Sequence, residues 1–197
     1  MPNSDFVAME YESQVMISEE EYLRIYQDNL RLNYKHVHSE IVNIYYDTPD
    51  LFLMNHHMAL RMRGVKDKYN EFTLKIKGDD GVVKEINYPI KENEPIDNLD
   101  RFPLIKEALL EKNINIINIK YITNLITKRL EVFKEGYLFV IDKNTYGLTV
   151  DYNLEVESTS MELSYKYLKQ EAIKYGVEIK KNYISKSRRA IQSYKNK

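Results

Sequence analysis

The sequence has no cysteine and no tryptophan, and only 6 glycines and 5 prolines in 197 residues. Without cysteine there is no disulfide framework, no thiolate zinc site and no thiol nucleophile, which agrees with a reducing, cytoplasmic setting. No apolar run approaches the roughly 20 residues of a spanning helix. The opening stretch MPNSDFVAMEYE also lacks the basic-then-apolar pattern of a signal peptide, so no membrane partner is expected. An excess of positive charge is missing too. Lysine and arginine number 29 against 30 acidic residues, and duplex nucleic acid is therefore not an expected partner. Apolar residues at 43% and 17 tyrosines give a globular composition with material for a core. No repeat, low-complexity tract or linker divides residues 1–197, which read as a single domain.

Periodicity supplies the elements. Residues 8–16 alternate as a strand, and Ser18 with Glu21 three residues on makes a capping box for a helix over 19–31, with Leu23, Tyr26 and Leu30 on one side. Strands are predicted at about 35–47, 57–66, 69–77 and 82–90, with a hairpin signal at Asp80-Gly81. Thr48-Pro49-Asp50 breaks the second strand, 35–47, and opens a short helical turn. A helical pattern from Pro95 to Lys112 groups Leu104, Ala108 and Leu109. Strands at about 119–134, 137–143 and 146–157 follow, then a helix at 161–175 whose stripe is Met161, Tyr165, Leu168, Ala172 and Tyr175. Hairpins interrupted by helices predict an antiparallel α+β architecture.

Within the strands, charges recur two residues apart: Glu10/Glu12, Arg61/Arg63, Lys75/Lys77, Arg129/Glu131 and Glu155/Glu157. Residues i and i+2 share one face of a strand, so each strand has an apolar face and a charged one. A single such pair is ordinarily a solvated sheet face. Segregation by sign is less ordinary, because two like charges at ~6.5 Å repel by about 2.5 kcal/mol at an effective dielectric of about 20. Repeating that arrangement points to ligands that neutralise it. Carboxylate pairs suit Mg2+ or Mn2+, and Arg and Lys suit phosphate oxygens. Both together suit a triphosphate-containing small molecule arriving with a divalent cation. A sheet curled into a closed barrel would turn the charged faces into a lumen and the apolar faces outward under helices.

Tyr45-Tyr46-Asp47-Thr48-Pro49-Asp50-Leu51, then Ala59-Leu60-Arg61-Met62-Arg63 and Thr73-Leu74-Lys75, resembles the CYTH domain of the triphosphate tunnel metalloenzyme superfamily. That group includes thiamine-triphosphatases, inorganic triphosphatases and class IV adenylate cyclases, and the resemblance covers about residues 8–190. It implies an antiparallel closed β-barrel flanked by helices and metal-dependent hydrolysis of a terminal phosphoanhydride with Mg2+ or Mn2+. It implies metal-binding roles for Glu10, Glu12, Glu155 and Glu157. Triphosphate contacts are implied for Arg61, Arg63, Lys75 and Arg129, a place near the catalytic water for Asp142, and a late phosphate contact for Lys186. Lys77, Arg188 and Glu85 are further lumen candidates. The family pattern Glu-x-Glu-x-Lys reads Glu10-Tyr11-Glu12-Ser13-Gln14 here, so an amide stands where the family has an amine. The alternatives are a class IV-type adenylate cyclase and a non-catalytic polyphosphate- or nucleotide-binding protein, acting as a monomer or homodimer. Alanine at Glu12 or Arg61 is expected to lower activity more than stability. His36, His38, His56 and His57 read as structural or surface residues.

Overall fold

Two-residue alternation becomes eight antiparallel strands: β1 (Val7–Ile17), β2 (Lys35–Asp47), β3 (Met58–Val65), β4 (Tyr69–Lys77), β5 (Val83–Ile90), β6 (Lys120–Lys134), β7 (Tyr137–Tyr146) and β8 (Thr149–Ser158). The structure is a computed structural model, and it describes residues 7–65, 69–91, 98–114, 118–180 and 183–195. The strands close into a barrel in the order β1-β5-β4-β3-β2-β6-β7-β8, which is the closed antiparallel α+β barrel expected from the sequence. Strand β1 serves two neighbours. Val7–Glu10 pair with β5, whereas Tyr11–Ile17 pair with β8.

Helices cover the apolar outward faces on two sides of the barrel, while outward residues of β2 and β6 such as Glu40, Val42, Ile126 and Lys128 are exposed. On one side Val15, Ile25, Leu130, Phe139, Ile141, Leu154, Val156 and Leu168 pack together under α1 (Glu19–Arg31) and α4 (Met161–Tyr175). On the other, Leu60, Phe72, Leu74 and Ile86 pack under Ile105 and Leu109 of α3 (Pro103–Glu111). Covering the exterior this way leaves the polar faces to line the inside.

Local chemistry explains the helix ends. The capping box forms as the sequence predicts: the Glu21 N–H donates to Ser18 Oγ (3.2 Å) and the Ser18 N–H to Glu21 Oε2 (2.7 Å). The buried face of α1 differs from the expected one. Tyr22, Ile25 and Asn29 face the barrel, while Leu23 and Leu30 are 49% and 38% exposed. Asn29 tolerates burial because its Nδ2 donates to the Ile25 carbonyl and to the Tyr175 hydroxyl of α4. In α4, Leu168, Ala172 and Tyr175 are buried as expected, but Tyr165 is 54% exposed. The expected helix from Pro95 divides. Residues 95–97 lie outside the described residues, a 3-10 turn covers Leu99–Arg101, and α3 starts at Pro103, which lacks the N–H that a continuing helix needs. Its buried residues are Ile105 and Leu109, while Leu104 is 38% exposed. Residue 66, the predicted end of β3, also lies outside the described residues.

One end of the barrel is floored. The Asp47 carboxylate, fully buried, accepts from the N–H groups of Thr48 (2.7 Å), Leu53 (2.8 Å) and Met54 (2.9 Å). Those bonds turn the chain out of β2 into α2 (Phe52–Asn55), with Leu51 at a left-handed φ of 58°. Leu51 and Met54 meet Tyr45, Ala59, Ile122, Leu125, Tyr146 and the Ala190 and Ile191 of α5 (Lys186–Lys195) in a third apolar cluster. The Tyr-Asp-Thr-Pro stretch therefore builds the floor and supplies no lumen charge.

Candidate active site

Because Tyr152, Leu154 and Val156 of β8 pack outward, the alternate residues Asp151, Asn153, Glu155 and Glu157 point into the lumen. The same argument turns Glu10, Glu12 and Gln14 of β1 inward, and likewise Arg61 and Arg63 of β3, Glu71, Thr73 and Lys75 of β4, Glu85 of β5, Thr127 and Arg129 of β6, and Asp142 and Asn144 of β7. Many are deeply buried: Arg61 is 5% exposed, Glu85 6%, Glu155 3% and Asp142 0%.

These charges fall into two ion-paired clusters. In the first, Arg61 Nη2 donates to Glu85 Oε1 (3.3 Å) and lies 3.9 Å from Glu71, while Arg63 Nη1 lies 3.4 Å from Glu71. Lys75 Nζ donates to Glu10 Oε2 (2.7 Å) and also pairs with Glu85. Burial acts to raise the Glu85 carboxyl, but Lys75 and Arg61 outweigh it and hold the group well below the usual carboxylate range. In the second, Arg129 grips Asp142 through two parallel bonds (2.9 and 2.8 Å) and donates to Glu155 Oε2 (2.7 Å). Lys186, from the first turn of α5, reaches the same two carboxylates at 2.6 and 2.7 Å. Burial works against the ionised Asp142, yet Arg129 and Lys186 bring its pKa down to about 2. Arg61, Arg63 and Lys75 are thus neutralised by carboxylates of neighbouring strands, which spacing along one strand does not show.

A third group has no such balance. Carboxylate oxygens of Glu10, Glu12 and Glu157 lie within 4.8 Å of one another, and among the described residues only Glu10 is ion-paired with a base, Lys75. Burial first, then Glu10 and Glu12, push the Glu157 carboxyl up to about 7. Burial also raises Glu12, with Lys75 opposing and Glu155 and Glu10 adding to the rise. Glu155, two residues from Glu157, is instead held ionised by Lys186 and Arg129 against its burial. Three of the four expected metal-binding carboxylates converge, and the fourth sits in the second cluster.

Lys77 and Arg188 join neither cluster. With Glu12, Gln14, Lys75 and Tyr183 they line a cavity of about 1200 Å³ beside the floor, opening where β1 has left β5. Lys77 is exposed at its rim. The Gln14 side chain reaches this wall, with its Oε1 buried and unpartnered among the described residues. Several lumen residues carry a weaker sequence signal. Glu71 lies four residues before Lys75, Asp151 and Asn153 lie four and two before Glu155, and Arg189 follows Arg188. Arg189 pairs with Asp151 at 2.7 Å.

The profile of the CYTH domain family matches residues 8–188. The Bacillus subtilis (strain 168) protein YjbK, to which a triphosphatase activity is provisionally ascribed, is 32% identical over 120 residues, 59% of this chain and 60% of that protein. The chain thus aligns with about three fifths of that curated relative. Among solved structures, a Bacillus halodurans protein described provisionally as an adenylate cyclase superposes with a TM-score of 0.78 at 24% identity, over 93% of this chain and 97% of the other. A Hippeastrum protein, provisionally described as an adenylyl cyclase and reported to show a dominant triphosphatase activity, superposes with a TM-score of 0.68 at 18% identity, over 94% and 95%. At those identities the two structures share the fold.

Proposed function

Since the chain belongs to the CYTH domain family, we propose that it is a triphosphatase that hydrolyses the terminal phosphoanhydride of inorganic triphosphate or a small organic triphosphate inside the barrel. The carrying observation is the lumen itself. Buried Arg61 and half-buried Lys75, Arg129 and Lys186 surround a space whose acidic corner, Glu10, Glu12 and Glu157, holds more negative charge than the neighbouring bases offset.

That corner fits a divalent cation such as Mg2+ or Mn2+. Its ligand atoms are hard carboxylate oxygens close enough to share one ion, and their mutual repulsion in the folded chain is relieved by positive charge. Glu10, Glu12 and Glu157 would hold it, with Glu155 retained as counter-ion to Arg129 and Lys186. When bound, such an ion neutralises phosphate oxygens and polarises water. The chain's own groups do the rest. Arg61, Arg63 and Lys75 bind the phosphate chain on one wall, and Arg129 and Lys186 bind it on the other, offsetting charge as it moves to the leaving group. Asp142 is a poor proton acceptor with a pKa of about 2; its part is to fix Arg129 and Lys186. Gln14 supplies an amide N–H without charge where the family has an amine. Lys77 and Arg188 meet the substrate at the rim.

Phosphate release from tripolyphosphate, thiamine triphosphate and ATP, each with Mg2+ or Mn2+, tests this reading. Release that stops with EDTA is the expected result. Tight binding without turnover on all three substrates would replace it with a sensor, and cyclic AMP with pyrophosphate would replace it with a cyclase.

A further inference from the structure

Lys186 is the one lumen cation in the two buried clusters that comes from outside the barrel wall. Its ammonium sits on a flexible four-carbon stem, so its position depends on where the first turn of α5 is held. Three residues later, one turn along the helix, Arg189 spends its whole guanidinium on that task. Its Nε donates to Asp151 Oδ2 (2.7 Å) and its Nη2 to Asp151 Oδ1 (2.9 Å) and Asn153 Oδ1 (3.4 Å). Its Nη1 donates to the Tyr183 hydroxyl (3.0 Å) and the Ile184 carbonyl (2.6 Å) in the segment that leads into α5. The Arg189 and Asp151 side chains are 10% and 13% exposed, so this fork is not a solvated surface pair.

Asp151 is itself fixed from the wall. Tyr146 donates to its Oδ2 (2.5 Å) and Asn144 Nδ2 to its Oδ1 (3.0 Å). Asn144 Nδ2 also donates to Asn153 Oδ1 (2.7 Å), and Asn153 Nδ2 to Glu155 Oε1 (3.2 Å), the oxygen that Lys186 approaches at 2.7 Å. The contacts close a circuit: Arg189, Asp151, Asn144, Asn153, Glu155, Lys186 and back along one helical turn to Arg189. Both partners of the Lys186–Glu155 ion pair are thereby aligned from the same place.

We propose that the Arg189–Asp151 pair is a latch that positions Lys186 in the lumen, making Arg189 and Asp151 positioning residues for the chemistry at Asp142 and Glu155. Its value for turnover rests on the triphosphatase reading, but the latch itself is testable without substrate. A short pulse of acetic anhydride on the full chain, followed by mass spectrometry, reads the accessibility of each lysine. Lys134, buried against Glu171 elsewhere, reports that the fold is intact. In Arg189→Gln and in the isosteric Asp151→Asn, Lys186 is expected to be acetylated about tenfold faster while Lys134 is unchanged, as for a local opening. Unchanged Lys186 labelling in a folded variant overturns the latch. If Arg189→Gln exposes Lys134 as well, Asp151→Asn decides.

Hydrolysis of tripolyphosphate with Mg2+ gives the second readout. Arg189→Gln should lower kcat by about tenfold in the wild-type background but by less than about twofold in Lys186→Ala, because coupled residues are not additive. Equal loss in both backgrounds shows that Arg189 acts otherwise and overturns the proposal. Faster Lys186 labelling in a protein that hydrolyses none of the triphosphates leaves the latch standing and removes the triphosphatase reading.

Discussion

Replacing Glu157 by glutamine removes one charge from a corner that, without metal, repels itself. The oxygens of Glu10, Glu12 and Glu157 lie within 4.8 Å of one another, where two full charges repel by about 3.5 kcal/mol at an effective dielectric of about 20. Displacement of the Glu157 carboxyl from an ordinary 4.5 to about 7 corresponds to about 3 kcal/mol. Water reaches this partly exposed corner, so the net gain from Glu157→Gln is set at about 1–3 kcal/mol, or a Tm rise of about 5 °C for a chain of this size. The sign with pH follows from proton binding. Between 4.5 and 7 the folded protein holds a proton on Glu157 that the unfolded chain has lost, so wild-type stability falls as pH rises through that window. The glutamine variant should therefore match the wild type near pH 4, below the unfolded value, and exceed it increasingly up to pH 8 in EDTA, by thermal or urea denaturation. Mg2+ at pH 8 should raise the wild type and leave the variant nearly unmoved. A variant less stable than wild type at pH 8 in EDTA, or one stabilised equally by Mg2+, would refute this account of the corner.

Other perturbations separate the clusters. Arg129→Met strips the buried Asp142 and Glu155 of their shared guanidinium and should cost about 3–5 kcal/mol in urea unfolding, with phosphate release lost as well. Asp142, held down at about 2, contributes stability that is fully present above its unfolded value near 4 and disappears as pH falls through about 2; Asp142→Asn should flatten that part of the acid-unfolding curve. Ser18→Ala should lower stability by about 1 kcal/mol while phosphate release stays as in wild type, since the capping box lies outside the barrel.

Much of the barrel was legible because β-structure writes itself in period two. The strand pairs with apolar alternates announced one charged face each, and the turn at Asp80-Gly81 marked the hairpin, with Gly81 at a φ of 84°. What stayed hidden depended on contacts far apart in sequence. Helix α1 carries two adjoining stripes, and the choice of Tyr22, Ile25 and Asn29 follows from Tyr175, which comes from α4. Counter-charges were hidden for a similar reason. Strand β3 pairs with β4 and β4 with β5, so Glu71 and Glu85 meet Arg61 across strands. The expectation that Arg61→Ala lowers activity more than stability changes accordingly, because alanine there removes a partner of Glu85 and is expected to lower stability too. Glu155 and Glu157 look equivalent in the sequence. Two residues of strand separate one that meets Lys186 from one that meets Glu10 and Glu12.

The divided pairing of β1 has a consequence for how the chain becomes a barrel during synthesis. Glu12 lies opposite Glu157 in the β1–β8 register, so the seam is sewn between the first strand made and the last. Until β8 has left the ribosome, Tyr11–Ile17 have no β8 edge to bind, and the hairpins of β3, β4 and β5 must wait as an open sheet with its polar face wet. Such long-range pairing is slow to nucleate. The step that completes the cylinder is also the step that brings acidic side chains of the barrel's β1 and β8 together. Salt and divalent ions in the refolding buffer should thus act on the closing rate, through the seam, more than on the early hairpins.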